Sequence, residues 1–405
     1  IVEKINVINV KCCGLWRSFG VSRYQLQIGQ TARLWVSFLC YTLSTSMTGP
    51  LIGLYAHRLG ASSSEIGVVY GLAAFTTLLT RLPLASLQRR LGSRLLIRVG
   101  VLANSASMIA YAFSPSINYM YLASGLRGIG FASFHPPALS EAVRLSSNNQ
   151  RLGWVMTAPP MGMSLGPLLS SSLLAFFNAR FGYPLLYILT FLTSAALSGI
   201  AFFTPARGEE HHLGEPTQTR DLARLLSSHM VRLITSRLLI SYVVGAITAV
   251  LPVFLVEKSI MSEPEVPLLF AWASMFNVLG RPLSSFLKSP VHGIIASPIL
   301  ITITGMLFLN SSTPTLYLGM ALYGLALGLF IPSSLLMVQS LVEKSSLTMG
   351  IALLTLAIDL GASLGSMGAG IMREFIETEL TLSVSAIAAG LASLLLSTRF
   401  AAKKT

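Results

Sequence analysis

Two segments of the sequence resemble each other: YLASGLRGIGFASFHPPAL at residues 121–139 and YLGMALYGLALGLFIPSSL at residues 317–335. Aligned without a gap, they are identical at seven of nineteen positions. A shorter similarity relates Arg81-Leu82-Pro83-Leu84 to Arg281-Pro282-Leu283, at nearly the same separation along the chain. Such an offset indicates that the chain consists of two related halves in the same orientation, as in membrane proteins with parallel repeats.

The composition places most of this chain in lipid. Of its 405 residues, 53% are hydrophobic and 11% charged, and the mean hydropathy is +0.69, whereas soluble domains carry about 25% charged residues. The net charge of +13 comes from basic residues in short loops between apolar runs. That placement suits anionic lipid headgroups and not nucleic acid, which needs a clustered basic face. We therefore expect membrane lipids as partners and no nucleic acid.

The apolar runs predict an all-α membrane protein with twelve transmembrane helices in two six-helix, pseudo-symmetric bundles. A spanning helix needs about 20 mostly apolar residues. We number the predicted spans 1 to 12: 33–56, 64–87, 95–113, 117–140, 151–177, 183–203, 236–256, 267–287, 292–309, 314–340, 346–372 and 379–398. The resulting domains are a tail at 1–32, a bundle at 33–203, a linker at 204–235, a bundle at 236–398 and a tail at 399–405.

The basic residues also predict the orientation. With an even number of spans, both termini and the linker lie on one side of the membrane. Outside the spans, the opposite side carries only four basic residues, Arg58, Arg180, Lys258 and Arg373. Because cytoplasmic loops are enriched in Lys and Arg, we expect a cytoplasmic (inner) membrane protein with both tails and the linker in the cytoplasm.

Three local patterns resemble the major facilitator superfamily. The segment 85–94 between spans 2 and 3 resembles the family's glycine-aspartate-arginine-glycine loop, although Ala85 and Arg89 replace the first glycine and the aspartate. Arg127-Gly128-Ile129-Gly130 in span 4 is similar to the family's arginine-and-glycine motif. Gly162-Met163-Ser164-Leu165-Gly166-Pro167 in span 5 resembles the motif of its drug-exporting, antiporter branch.

The resemblance implies a transporter that works by alternating access, with a gate at its cytoplasmic end. Candidate gate residues are Arg81, Arg90, Gly92, Arg94 and Arg281. Arg81 and Arg281 lie near the cytoplasmic ends of spans 2 and 8. Their guanidinium groups can extend to water there, so a structural role is the favoured alternative.

Two charges fall near the middle of their spans, Arg127 in span 4 and Asp359 in span 11. A charge there costs at least about 2.5–3.5 kcal/mol, so it predicts a function. We expect Asp359 to take up and release a proton, and Arg127 to bind an anionic group or to compete with the proton for a carboxylate. The alternative is a structural pair, or two separate residues that hydrogen-bond helix carbonyls. Protons are thus an expected partner.

Further residues are predicted to line a substrate cavity or to pack helices. The cavity candidates are the arginine of span 4 and hydroxyl-bearing side chains of spans 1, 7 and 10: Arg127, Tyr41, Thr45, Tyr242 and Tyr323. The packing candidates are small residues of spans 5 and 11, which let helices approach closely, together with a helix-bending proline: Gly162, Gly166, Pro167, Gly361 and Gly365.

The favoured function is a proton-coupled exporter of a small molecule. An uptake symporter or facilitator for a small organic anion is the alternative, with Arg127 as counter-ion. A membrane-embedded receptor or enzyme is the third hypothesis, but the six histidines form no metal-binding pattern in the spans, and no phosphate-binding loop occurs. We expect no cofactor and no metal, no enzyme activity, and a monomer.

Overall fold

The protein is described by a computed structural model, which defines the backbone of residues 2–145, 154–203, 227–287, 289–343 and 347–400, and the side chains of these from residue 29 onward except 82, 85, 86, 89, 203 and 348. These residues form eleven α-helices and one 3-10 turn, Ser284–Phe286. The helices are α1 (Val2–Arg58), α2 (Ser63–Ala112), α3 (Ile117–Leu145), α4 (Ala158–Arg180), α5 (Leu185–Phe203), α6 (Ser228–Glu257), α7 (Val266–Leu283), α8 (Pro290–Phe308), α9 (Thr313–Leu341), α10 (Leu347–Met372) and α11 (Thr378–Thr398).

The first two helices are longer than the predicted spans. α1 begins at Val2, so the predicted boundary between a tail and span 1 is not a helix boundary. α2 contains both span 2 and span 3, and the predicted loop between them is reduced to one residue, Gly92. Its φ of 78° and ψ of 156° are non-helical, and a positive φ is accessible mainly to glycine. The chain therefore turns at Gly92 with almost no connecting loop.

α6 begins eight residues before the predicted start of span 7, inside the predicted linker. The side chain of Ser227 accepts a hydrogen bond from the Met230 backbone nitrogen and so caps the helix. The first two turns mix apolar residues with Ser228, His229, Arg232 and Thr235, which is why the hydropathy pattern misses them. The remainder of the predicted linker, residues 204–226, lies outside the described residues.

The start of α4 also differs from the prediction. The helix begins at Ala158, with prolines at its first positions, and not at residue 151. Proline suits the first turn because its missing N–H would have no partner there. Residues 146–153 lie outside the described part of the chain.

Eight helical segments in the described chain are long and apolar enough to cross a membrane. They correspond to predicted spans 3, 5, 6, 7, 9, 10, 11 and 12. The helices at predicted spans 1, 2, 4 and 8 carry more hydroxyl, glycine or charged residues. The chain is thus a multi-pass membrane protein whose more polar helices are concentrated in a few positions.

The two parts of the sequence, α1–α5 (the first half) and α6–α11 (the second half), repeat the same helix contacts. Gly162 and Gly166 of α4 lie against residues 42–47 of α1, and Gly361 and Gly365 of α10 lie against residues 238–242 of α6. Residues 42 and 238 are separated by the same 196 positions that align Tyr121 with Tyr317. In each case an added Cβ would collide with the facing helix, so glycine permits the close approach.

The halves touch mainly through α2 against α10, α4 against α7, and α1 against α6. Gly67 of α2 approaches the carbonyl of Ser366, where an added Cβ would lie 2.5 Å away. One turn further along α2, the Ser363 hydroxyl donates to the Gly71 carbonyl at 2.9 Å. This close seam is built from small residues.

Polar groups close the seam at one end, at residues we call the rim: His57, Arg58, Ser64, Glu257, Glu263, Arg373 and Glu374. Arg58 Nη2 lies 2.5 Å from Glu263 Oε1 across the halves, and the Ser64 backbone donates to Glu374 at 3.2 Å. Glu257 contacts His57 at 3.5 Å and also pairs with Arg373. The rim therefore links both halves by charge.

The rim groups have shifted proton affinities. The pKa of His57 is lowered, first by burial and then by Arg373 and Arg58, so its imidazole is neutral near pH 7. The pKa of Glu374 is lowered because Ser64 hydrogen-bonds its carboxylate. These shifts favour an ionised Glu374 and a neutral His57 in the folded rim.

Candidate functional site

The central charged contact of the structure joins Arg81 of α2 to Asp359 of α10. Arg81 Nη1 lies 3.1 Å from Asp359 Oδ2, and the two side chains are 12% and 8% exposed. The contact is charge-to-charge and not a well-aligned hydrogen bond, because Arg81 Nε and Asp359 Oδ2 both lack a hydrogen-bond partner. The expectation that Arg81 extends to water is wrong, since its guanidinium is buried against a carboxylate.

The helix geometry explains how two residues at different depths meet. Arg81 lies ten residues beyond Gly71 along α2, which is about 15 Å at 1.5 Å per residue. Asp359 lies only one turn from Ser363, the partner of Gly71. Helical side chains point back toward the helix N-terminus, so the long arginine spans the remaining gap. The pair thus lies at the end of the seam away from the rim.

A histidine lies next to this pair. The Arg81 guanidinium carbon is 5.9 Å from the centre of the Phe131 ring, and that ring is 4.4 Å from the His135 ring. His135 is the next titratable group after Arg81 on the side of α3. The cluster therefore contains one acid, one permanent cation and one imidazole.

Arg127 does not pair with Asp359. Its Nη2 donates to the Thr45 carbonyl at 3.2 Å, and its charge lies close enough to act on the Tyr111 hydroxyl. None of the ion pairs formed by the described residues includes Arg127. Among those residues this cation therefore has no carboxylate, and its hydrogen bond goes to a neutral carbonyl.

Of the predicted cavity residues, only those of the first half lie close together. Tyr41 is fully buried and stacks on Phe134, with ring centroids 3.8 Å apart. Tyr41 and Thr45 lie one turn apart on α1, beside Arg127. Tyr242 packs its backbone against Gly365, and Tyr323 is buried in α9. The structure groups Tyr41, Thr45 and Arg127.

Of the predicted gate residues, Arg90 and Arg94 flank the turn at Gly92, whereas Arg81 lies farther back along α2 and Arg281 lies on α7. Arg90 is exposed and Arg94 is half-buried. Arg281 occupies the position in α7 that Arg81 has in α2, and its Nε donates to Asn277 Oδ1 at 3.4 Å. The side chains of Ala85 and Arg89 lie outside the described residues. Arg81 thus differs from the other gate candidates in having a buried carboxylate partner.

Sequence reasoning missed Arg237, which it placed in the cytoplasmic end of span 7. Because α6 begins at Ser228, Arg237 lies two and a half turns inside the helix and is 7% exposed. Its guanidinium carbon is 5.5 Å from the centre of the Phe330 ring. The available signal was the serine cap at residue 227, which marks an earlier helix start. Across the ranges described, no group of three or more His, Cys, Asp or Glu side chains could hold a metal ion.

Comparison with known proteins identifies relatives. The family model of the Major Facilitator Superfamily matches residues 34–292. An uncharacterized MFS-type transporter of Methanocaldococcus jannaschii is 24% identical over 144 residues, 35% of this chain and just over a third (37%) of its own length. The multidrug resistance protein MdtH of Aeromonas hydrophila is 22% identical over 346 residues, 80% of this chain and 83% of its own.

Solved structures show the same fold. The nucleoside transporter NupG superposes with a TM-score of 0.72 at 15% identity, over 93% of this chain and 98% of its own. A POT family transporter in complex with a thioalcohol-conjugated peptide superposes with a TM-score of 0.75 at 13% identity, over 92% and 95%. At these identities the structures establish the fold alone. Since the family model covers more than half of the chain, the resemblance seen in the sequence is confirmed: the protein is a transporter-type membrane protein that belongs to the Major Facilitator Superfamily.

Proposed function

We propose that this protein is a secondary active transporter of the cytoplasmic membrane that exports a small molecule in exchange for protons. In this proposal its twelve spans form two six-helix bundles, at 33–203 and 236–398, that rock about a midplane site. Both tails and the linker 204–235 are cytoplasmic, and the protein acts as a monomer. The rim then faces outward, so the close seam shuts the outer end in this conformation.

The observation that carries the proposal is the buried pair between Arg81 and Asp359, because it joins the two halves through a group that can lose its charge. When Asp359 is ionised, the pair holds α2 against α10. When Asp359 takes up a proton, the attraction is lost and Arg81 remains unpaired. Buried ion pairs that lose one charge become strongly unfavourable, so protonation favours separation of the seam.

This gives proton coupling a defined place in the transport cycle. Protons arriving from outside neutralise Asp359 and open the outer seam, and the substrate leaves. Release of the proton to the cytoplasm restores the pair and closes the outer end. Arg127, which the sequence analysis paired with the coupling acid, is assigned to substrate contact, together with Tyr41 and Thr45.

The direction of transport is supported by a relative. MdtH, named as a multidrug resistance protein, aligns over most of both chains, and the glycine-proline pattern of α4 resembles that of exporters. At 22% identity this supports export as a proposal. The gate residues around Gly92 are proposed to open and close the cytoplasmic end.

The test is proton movement in proteoliposomes with an imposed pH gradient, using lipophilic cations, neutral drugs and organic anions as candidate substrates. Wild type is compared with Asp359→Asn and Arg81→Gln. The matched control is Glu343→Gln, an exposed acid just before α10. A substrate should discharge the gradient in wild type and in the control, and in neither seam variant. If Asp359→Asn still couples as wild type does, the proposal fails.

A second candidate function follows from Arg127, which has no carboxylate partner among the described residues. An unpaired cation beside tyrosine hydroxyls can hold a small organic anion, so an uptake symporter or facilitator is the alternative. In the same assay, equilibration of an anion without any pH response would favour this alternative over proton-coupled export.

A further inference from the structure

Arg237 is a buried cation that the transport cycle above does not use. It is 7% exposed, and its Nε and Nη1 atoms have no hydrogen-bond partner. None of the salt bridges in the described part of the chain includes it. A buried charge without a partner is strongly destabilising, and in membrane proteins such a residue usually marks a substrate or ion path.

The neighbouring groups do not neutralise it. Phe330 offers the face of its ring at 5.5 Å, which attracts a guanidinium but carries no charge. Tyr323 lies close enough for a charge on its phenol to act on Arg237, but that phenol is neutral. Asp359 lies at a depth similar to that of Arg237, because Gly361, two residues from the acid, contacts Leu238, the neighbour of the arginine. The ion pair of Asp359, however, is with Arg81.

The internal repeat assigns Arg237 an equivalent position in the first half. The offset of 196 residues that aligns the two related segments takes Tyr41 to Arg237, Arg127 to Tyr323 and Phe134 to Phe330. In the first half, Tyr41 stacks on Phe134 and Arg127 lies beside it. In the second half, Arg237 lies over Phe330 with Tyr323 beside it. Each half therefore holds one arginine, one tyrosine and one phenylalanine, with arginine and tyrosine exchanged.

This exchange makes Arg237 the second-half counterpart of Tyr41, which is proposed above to contact the substrate. In parallel-repeat transporters the substrate site lies near the midplane, at the interface between the repeats. α1 and α6, the helices that carry Tyr41 and Arg237, contact each other across that interface. If Tyr41 faces the substrate path, we expect its counterpart Arg237 to face it as well. The Tyr41 hydroxyl likewise has no hydrogen-bond partner and is fully buried.

We propose that Arg237 binds the anionic group of the transported molecule, an organic carboxylate with an apolar or aromatic body, with Phe330 as the surface on which that body packs. A planar guanidinium binds a carboxylate bidentately along one edge, through Nη2 together with either Nε or Nη1. Both Nε and Nη1 of Arg237 have no hydrogen-bond partner, so each has a donor free for such a contact. The inference rests on the transport function proposed above, but not on its direction or on proton coupling.

The test is binding to purified full-length protein in nanodiscs of zwitterionic lipid, which requires no transport. The probes are benzoate, its neutral amide benzamide, and inorganic phosphate. The variants are Arg237→Gln, Arg237→Lys and, as a matched control on the same helix, Arg232→Gln. Benzoate should bind wild type and the control at least about tenfold more tightly than benzamide, and Arg237→Gln should lose about ten- to hundredfold of benzoate affinity. Arg237→Lys should be intermediate, because it keeps the charge and loses the fork.

A second measurement guards against a folding defect. Without ligand, Arg237→Gln should melt at the same or a higher temperature than wild type, because an unpaired buried charge is removed. The proposal is overturned if wild type does not distinguish benzoate from benzamide, if Arg237→Gln still binds benzoate more tightly than benzamide, or if phosphate binds wild type as tightly as benzoate does.

The two proposals fail separately. Loss of benzoate selectivity in Arg237→Gln without any proton response in wild-type proteoliposomes would support this site and refute proton coupling. Proton exchange driven by a neutral or cationic substrate, with no benzoate preference, would do the opposite.

Discussion

Removing Arg81 and Asp359 singly and together is expected to show a large, favourable coupling between them. At 3.1 Å, two unit charges interact by about 5 kcal/mol for an effective dielectric constant near 20. Desolvation of both side chains, which are 12% and 8% exposed, offsets most of that. Breaking such a pair by removing one partner costs about 3–5 kcal/mol, and the poor hydrogen-bond alignment favours the lower end, about 3 kcal/mol.

The double variant should behave differently, since it leaves no buried charge behind. We expect Arg81→Gln and Asp359→Asn each to lower the free energy of unfolding by about 3 kcal/mol, and the combination to lie within about 1 kcal/mol of wild type. The assay is unfolding by SDS titration in mixed micelles, followed by the fluorescence of the four tryptophans. Arg90→Gln, at an exposed arginine beside the Gly92 turn, serves as the control and should change little.

The pH dependence separates the two single variants. In Arg81→Gln the remaining group is a carboxyl, which escapes the cost of burial by taking up a proton, so its cost should shrink as the pH is lowered from neutral. In Asp359→Asn the remaining guanidinium stays charged, and its cost should not shrink. Additive single effects, or an Arg81→Gln cost that does not change with pH, would refute the assignment of a stabilising ion pair at this seam.

Three further predictions concern a helix contact, the rim and an acid just before α7. Gly365→Ala should destabilise by about 1–3 kcal/mol in the SDS titration, because its Cβ collides with a backbone carbonyl of α6, whereas Gly125→Ala, with open space around it, should lie within about 0.5 kcal/mol. Arg58→Gln should cost no more than about 1 kcal/mol, and the loss should fall in high salt, because its pair with Glu263 is half-exposed. The pKa of Glu265 is lowered by hydrogen bonds from a serine. The ionised carboxylate therefore stabilises the fold slightly, by at most about 0.5 kcal/mol after solvent screening, and this stabilisation is present at neutral pH and lost on acidification. The free energies of unfolding of Glu265→Gln and wild type should therefore converge at low pH.

The sequence predicted those features that depend on apolar length and on small residues. Glycine spacing in spans 5 and 11 identified positions where helices touch, because a missing Cβ is visible in sequence and has a direct steric consequence. Asp359 stood out for the same kind of reason, as an acid in the middle of an apolar run. The turn at Gly92 was also visible, although its loop proved to be a single residue.

The partner of Asp359 was not predictable from depth alone. Counting along spans placed Arg81 near the membrane surface and Arg127 at the level of the acid. The structure reverses this, because a guanidinium reaches about 6 Å back along its helix and only one of the two arginines lies on the helix that packs against α10. Which helices face each other is a tertiary property, and no pattern within one span carries it.

The error at Arg237 has a different origin. The mixed polar and apolar first turns of α6 look like linker to any measure of hydropathy, so the helix seemed to begin one residue before the arginine. Capping by Ser227 shifts the start and moves the cation into the interior. Helix starts that depend on a capping serine are set by hydrogen bonding, which an apolar window does not detect.

The repeat explains why a buried ion pair between the halves occurs only once among the described residues. Arg81 and Arg281 occupy equivalent positions, and the glycine register that relates α4 to α10 places Pro160 where Asp359 lies. The first half therefore offers Arg281 no acid on α4, and Arg281 contacts an asparagine instead. A two-fold repeat with one titratable seam can respond to protonation on one side of the interface only. In the proposed cycle, that asymmetry would let a single proton loosen one contact between the halves while the glycine packing within each half stays intact, as a rigid-body transport cycle requires.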